Sequence, residues 1–502
     1  MDSRGIRLWR RLTVFDGILF FGFLAMTARN AVDPDLWWHL RTGELIAESG
    51  HIPHSDLFSF TRAGHAWISH EWLSEVTFFE LWKHSGPAAL IVFSAIIWTA
   101  GFMLLYWRCP GKRYWAAAAA ALGALAAAPC WGVRPQMFTF ALASLLLWLL
   151  DRGEFRPRLL FWIPPLFLLW LNLHAGFALG PALILAYALG LLLETATGNT
   201  PWQATRPILL RLFLLLAACF ALVPLNPSGT QLYRYPFDTL RSHVMRSFIA
   251  EWFSPDFHQW LYRPLLLVWL LLLTALAARR VQIRGRVLAP LLLTAFAALD
   301  AVRHIPIFIL VVIPVLAAAL PNRPAAQPPR RLYSSKLTPG LNFAVITLLA
   351  LFTLVRWATL ARDQDTREAQ HFPRDAVAFL RNTSQPPNLF VFYDWGGYAI
   401  WKLYPQYHVF VDGRADLYGD DLLRQSTQTT LELRPGWQQI LDRWAVDSVL
   451  VPTNCALAQA LLLDSDWHTK FKDSGTILLV RTPPAPGASA ISPEPLAGRA
   501  TK

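Results

Sequence analysis

The densest chemistry in the chain lies between Asp33 and Gly86, in DPDLWWHLRTGELIAESGHIPHSDLFSFTRAGHAWISHEWLSEVTFFELWKHSG. Six of the thirteen histidines fall there, His39, His51, His54, His65, His70 and His84, together with the acids Asp33, Asp35, Asp56 and Glu71. So many titratable groups in one segment point to proton transfer, charge stabilisation or metal ligation rather than to a plain connector. Asp33 and Pro34 open a helix well, the first as N-cap and the second where no N–H is needed. Asp35 then stands on the first turn with His39 one turn on, on the same face. Asp35 reads as a catalytic carboxylate with His39 beside it, or as a first-turn acid that the helix dipole favours; Asp33 reads first as a cap.

The helix runs to Gly50, and its paired tryptophans suit a membrane surface. Glu71 and Trp72 start a second surface helix, with Ser69 as its expected cap. Asp56 is a candidate substrate ligand or a turn starter, and His51, His54 and His65 read as exposed. Asp35, His39 and His70 have metal-ligating chemistry, though in no compact motif such as HExxH.

These residues must be held by an apolar scaffold. Of 502 residues 54% are hydrophobic and only 16% charged, where soluble proteins carry about 25% charged residues. Eleven apolar segments recur: Val14–Ala31, Ala88–Trp107, Trp115–Cys130, Gln136–Leu150, Leu159–Asn172, Phe177–Leu193, Ile208–Leu225, Pro264–Ala278, Val287–Ala301, Pro306–Leu320 and Leu341–Val355. They predict a polytopic α-helical membrane protein of about 11 spans, with surface helices on a large first outer loop, residues 32–86. With the N-terminus in the cytoplasm, inner segments hold 20 Lys and Arg in 72 residues and outer ones 9 in 106. That asymmetry satisfies the positive-inside rule. It also makes the net charge of +12 a matter of topology, not of nucleic-acid binding. Every histidine then lies outside or in the domain that follows. Four scattered cysteines, with no CxxC pair, argue against a disulfide or zinc-ribbon framework.

After the transmembrane part, residues 1–361, the pattern changes. Residues 362–482 alternate β-type runs (Leu389–Tyr393, His408–Asp412, Ser448–Val451, Ile477–Val480) with helical ones (Arg374–Arg381, Gly436–Trp444, Ala456–Leu463). This predicts a small outer α/β domain, followed by a disordered tail at 483–502. Asp412, Gly413 and Arg414 read as a turn with a local ion pair, or as a binding loop after a strand.

The string DPDLWWHLRTGELI…IPHSDLFSFT…W…EWL, after one helix and before many, resembles the GT-C superfamily of membrane glycosyltransferases. Within it, the chain is similar to the RgtA/B/C/D-like group, related to protein O-mannosyltransferases and aminoarabinose transferases. RPQMFTF (134–140), LNLHAGF (171–177), EWFSP (251–255), RHIPIF (303–308), DWGGYAIW (394–401) and VFVDGRADLYG (409–419) extend the similarity over most of the chain.

The resemblance implies transfer of a sugar from a polyprenyl-phosphate donor to a glycan, lipid or protein acceptor at the outer face of a bacterial inner membrane. The catalytic aspartate would be Asp35 or Asp33, which here are split by a proline, and some branches use a divalent cation. Arg134 and Arg303, at outer ends of spans, are then candidates for the donor phosphate, followed by Arg241 and Arg246; each could instead snorkel to the interface. His174, at a tight outer turn, and Glu251, in a long outer loop, are further candidate substrate ligands, with His304 beside Arg303 and with Glu71 and Trp72. A transporter of lipid-linked or polar solute is the alternative of another class, favoured only by Pro164-Pro165; a non-catalytic anchor for residues 362–482 ranks last.

Overall fold

The computed structural model describes residues 13–320 and 337–482; the N-terminal basic stretch and the tail at 483–502 lie outside them. The chain forms two compact units. One holds the chain up to Ile52 and Ile68–Arg367, the other Pro53–Trp67 and everything described from Glu368 onward. The second unit thus begins six residues after position 362, where the α/β domain was expected to start, and also takes in the fifteen residues 53–67.

In the first unit, α1 (Val14–Thr27) leads to α2 (Leu36–Ser49) and α3 (Trp72–Arg108). Then follow α4 (Arg113–Ala127), α5 (Gln136–Gly153), α6 (Ile163–Leu173), α7 (Leu179–Ala196) and α8 (Trp202–Leu222). The short helices α9 (Tyr235–Arg241) and α10 (His243–Phe248) come next, before α11 (Arg263–Ala277), α12 (Gly285–Asp300), α13 (Ile305–Ala319) and α14 (Leu337–His371). Each of the eleven apolar segments is helical. Six of the described helices are long and apolar enough to cross a membrane by themselves, so the protein is polytopic, with fewer self-sufficient spans than the eleven expected.

α13, IPIFILVVIPVLAAA, is apolar all round and almost wholly buried, the mark of a helix packed on every side. α8, α11 and α14 leave leucines and phenylalanines exposed, as a lipid-facing surface requires. α3 joins two expected elements in one. Ser85 and Gly86 leave helical geometry, with Gly86 at φ +58°, and Pro87 follows. The surface helix that starts at Trp72 thus turns into the span that ends at Arg108, because proline removes a backbone donor and glycine tolerates the left-handed angle.

The second unit holds a five-stranded mixed sheet of order β2-β1-β3-β5-β4: β1 (Asn388–Val391), β2 (His408–Val409), β3 (Ser448–Pro452), β4 (Trp467–Lys472) and β5 (Thr476–Arg481). β1 pairs in parallel with β2 and β3, while β5 runs antiparallel to β3 and β4. The four expected strands are present. β4 was not foreseen: WHTKFK carries two lysines and a histidine and is largely exposed, as suits an edge strand.

The segment Pro53–Trp67 lies alongside β2. Ser59 bridges Val409 in parallel, the Phe60 amide donates to the Val409 carbonyl at 3.2 Å and the Val409 amide to Phe58 at 3.1 Å. Beneath it, the Arg414 guanidinium is buried between the Phe58 and Trp67 rings, 4.9 and 4.6 Å from their centroids. It forms a fork on Asp412 (Nε–Oδ1 2.8 Å, Nη2–Oδ2 2.7 Å) and reaches Asp56 at 2.7 Å. The local Asp412–Arg414 pair is thus present.

Candidate functional site

Asp33 accepts the Asp35 amide on Oδ1 at 3.0 Å, but Asp35, not Asp33, is the N-cap of α2, which begins at Leu36, two residues later than expected. This turn aims both carboxylates the same way. Arg134 sits just before α5, whose N-cap is Pro135. Its three nitrogens face three carboxylates: Nε lies 3.0 Å from Asp33, Nη2 2.7 Å from Asp35 and Nη1 2.8 Å from Glu251. The other oxygen of Glu251 lies 3.0 Å from Arg303 Nη1, and the Arg303 guanidinium stacks on Trp252 at 4.4 Å. The five charged side chains are 15–25% exposed, neither sealed nor freely solvated.

Three carboxylates against two guanidiniums leave the cluster short of positive charge. Asp33 shows the consequence. Burial raises its proton affinity, Arg134 opposes, and the negative neighbours Asp35 and Glu251 add to the rise, so that its pKa is pushed up to about 7. Burial would also raise Glu251, but Arg134 and Arg303 outweigh it and hold that carboxyl down at about 2.

A second cluster surrounds Glu71, the residue before α3. The Nε2 atoms of His39, His70 and His174 lie 3.6, 3.1 and 3.5 Å from its oxygens. Glu75, one turn on, is 3.7 Å from His39 Nδ1 and accepts the Ser69 hydroxyl at 3.0 Å; Ser69 thus holds Glu75 rather than capping the helix. His174 Nδ1 accepts the Gly176 amide at 3.0 Å and the Thr139 hydroxyl at 2.6 Å, while Thr139 accepts Trp170 Nε1–H at 2.8 Å. Those partners leave the imidazole proton on Nε2, facing Glu71.

His70 is different. Its Nδ1 faces the Ile68 carbonyl at 3.0 Å, and its Nε2 makes the shortest of the three histidine contacts on Glu71. Burial would raise the Glu71 carboxyl, yet His70, His174 and His39 together hold it well below the carboxylate range. Burial drives His174 down to about 4, against the pull of Glu71. Beside this cluster, Trp72 Nε1 donates to Asn172 at 2.7 Å, and the Asn226 amide donates to Asn172 and to the Leu171 carbonyl at 3.2 and 3.1 Å.

The structure therefore unites Asp33, Asp35, Arg134, Glu251 and Arg303, and gathers His39, His70, Glu71 and His174 separately. Several expectations are corrected. His39 does not orient Asp35: its nitrogens face Glu71 and Glu75, and the contact on Asp35 Oδ1 comes from Trp38 Nε1 at 3.4 Å. Asp35, His39 and His70 form no common ligand set, and among the described residues no three His, Cys, Asp or Glu side chains are grouped to hold a metal ion.

Asp56 is buried in the second unit, its oxygens taken by Arg414, by Ser59 and by the Phe58 and Ser59 amides, so it is not a substrate ligand of this cluster. Arg246 pairs with Asp300 at 2.6 Å on the exposed side, and Arg241 is exposed; neither enters the cluster. His304 turns Nδ1 to the Ala297 carbonyl at 3.2 Å and sets its ring edge-on to Trp252. Three participants were not foreseen. Glu75 was legible from its spacing of four from Glu71 on a helix; Trp252 and Asn226 had no signal beyond their neighbours.

No family model matches the chain, and no curated protein matches it by sequence. Solved structures do match. The oligosaccharyltransferase AglB of Archaeoglobus fulgidus, in complex with an inhibitory peptide and a dolichol-phosphate, aligns over 93% of this chain and 74% of its own, at 12% identity and a TM-score of 0.54. The apo form of the Archaeoglobus fulgidus oligosaccharyltransferase aligns over 96% and 75%, at 13% identity and a TM-score of 0.50. ArnT of Cupriavidus metallidurans, bound to undecaprenyl phosphate, aligns over 95% and 98%, at 14% identity and a TM-score of 0.48. The two oligosaccharyltransferase alignments span nearly the whole chain, and on them this protein shares the fold of those oligosaccharyltransferases.

Proposed function

We propose that the chain is a glycosyltransferase that moves a sugar from a polyprenyl-phosphate donor to an acceptor hydroxyl or amide, at the outer face of a bacterial inner membrane. Its N-terminus is then cytoplasmic, and its second unit lies outside. The observation that carries this reading is the meeting of Asp33 and Asp35 with Arg134 and Arg303, around Glu251. Four separate chain segments supply these groups, and a half-buried cluster of unequal charge is costly to build unless it serves a purpose. The fold likeness to a protein solved with dolichol-phosphate supports a lipid-phosphate donor.

In this mechanism the acidic pair takes the proton of the acceptor as its oxygen or nitrogen bonds to the anomeric carbon. The bond from that carbon to the phosphate oxygen breaks, and the polyprenyl phosphate leaves with the electron pair. Arg134 and Arg303 neutralise the charge that develops on it. Asp33, with its pKa near 7, suits proton transfer at neutral pH. Asp35, on the more exposed side of the pair, is the nearer to an incoming acceptor.

The test is Asp35→Asn and Asp33→Asn in the full chain, with membrane insertion and amount monitored. Sugar transfer to cell-envelope glycans or glycoproteins, read by mass spectrometry against a deletion strain, is expected to fall by about 100-fold or more in at least one variant. Undiminished transfer in both would refute the assignment.

A further inference from the structure

Glu251 is placed in an unusual way for a substrate ligand. Its two oxygens are divided between two guanidiniums, Oε2 to Arg134 at 2.8 Å and Oε1 to Arg303 at 3.0 Å. A carboxylate bridging two arginines reproduces the recognition that arginines give to the oxygens of a phosphate. Arg134 has no nitrogen left over, because its other two face Asp33 and Asp35. Arg303 is fixed against Trp252, the next residue after Glu251, so stacking holds the guanidinium in place independently of the carboxylate.

An incoming phosphate meets both arginines already occupied, and Glu251 is the one acid shared by the two. Its partners keep it ionised far below neutral pH, so it does not vacate the seat by taking up a proton. It leaves by turning its side chain, which is 21% exposed.

We propose that Glu251 is an internal stand-in for the donor phosphate: it bridges Arg134 and Arg303 in the resting protein and is displaced when the phosphate of the lipid donor binds between them. The inference rests on the donor-site reading given above and adds to it a competing anion. That anion sets the affinity of the site for phosphate and keeps the two arginines apart from weaker anions. Like charges brought together repel, and a phosphate supplying more oxygens overcomes that repulsion better than a singly charged small anion does.

The full-length protein in detergent micelles, titrated with farnesyl phosphate and, separately, with farnesol, tests this. Farnesol reports the apolar chain alone, so the ratio of the two affinities isolates the phosphate. Glu251→Gln keeps the shape and removes the charge; it is expected to tighten farnesyl phosphate by about tenfold and to leave farnesol unchanged. Arg303→Gln is expected to abolish the preference for the phosphate. Asp300→Asn removes an acid of the neighbouring Arg246 pair, and is expected to leave the ratio as in the natural protein.

Unchanged or weaker farnesyl phosphate binding in Glu251→Gln overturns the stand-in, while a phosphate preference that Arg303→Gln still abolishes leaves the donor-site reading intact. Equal tightening in Asp300→Asn also overturns it, by attributing the effect to the general field. If the natural protein and Arg303→Gln alike fail to distinguish farnesyl phosphate from farnesol, the donor site and the stand-in fall together.

Discussion

At the scale of single residues, proton affinity separates carboxylates that the sequence presents as equals. Asp33 and Glu251 both touch Arg134, yet one is raised to about 7 and the other lowered to about 2. Glu251 has two arginines; Asp33 shares one with two further acids. For Asp33 the sign of the pH effect follows directly. Its folded pKa lies above its unfolded value, so ionising it costs stability progressively as pH rises from the ordinary carboxylate range through about 7. If Asp33 takes the acceptor proton, transfer rises over the same window, because the base must first lose its own proton. The expected kcat/KM profile climbs with pH through about 7, and Asp33→Asn removes that limb. A profile with the same limb in Asp33→Asn would assign it to another group.

At the scale of elements, close approach of helices determines where the acids stand. Gly43 of α2 packs directly on α3: a Cβ there would lie 2.1 Å from the Glu75 carbonyl oxygen and 2.9 Å from Phe79 Cβ. Backbone cannot yield as a flexible side chain can. Gly43→Ala is therefore expected to force α2 away from α3, separating His39 from Glu71 and Glu75 and moving the turn that aims Asp33 and Asp35. Helix overpacking of this kind costs typically about 1–3 kcal/mol. The expected result is a lower thermal midpoint in detergent together with reduced transfer, whereas Gly22→Ala on α1, with nothing within 4 Å of its Cβ, leaves both as they were. Gly190 of α7 and Gly285 of α12 meet in the same manner, each Cβ position within 2.3 Å of the other's carbonyl oxygen, as small residues do between membrane helices.

At the scale of the whole molecule, the segment between α1 and α3 is divided between two compact units. Its ends hold the acidic clusters, and its middle, Pro53–Trp67, is built into the sheet of the second unit through Arg414. Arg414→Met would leave Asp56 and Asp412 buried without their cation. Breaking a buried pair in this way costs about 3–5 kcal/mol. The expected consequence is that Pro53–Trp67 leaves β2 and becomes a protease-sensitive segment in the full chain, while the natural protein resists cleavage there. Resistance equal to that of the natural protein would show that the backbone pairing alone secures the segment.

Much of this architecture was readable from the chain itself. Apolar runs bounded by basic clusters determine helices, because a membrane-buried backbone must satisfy its own hydrogen bonds. Continuous apolar runs such as NLFV and TILLV determine strands. The helix after Asp33-Pro34 and the Asp412–Arg414 pair are local, and both were accessible from spacing, although the helix begins at Leu36 with Asp35 as its N-cap. What tertiary structure alone decided is partnership at a distance. Nothing in the spacing of Glu251, Arg134 and Arg303 says that one carboxylate bridges the other two, since side-chain periodicity reports only neighbours within a turn or a strand. For the same reason Asp56 and His39, both placed by sequence near Asp33 and Asp35, turn instead to Arg414 and to Glu71. A charge removed from water goes to whichever opposite charge the packing of distant elements brings within reach, and that packing is a property of the folded chain.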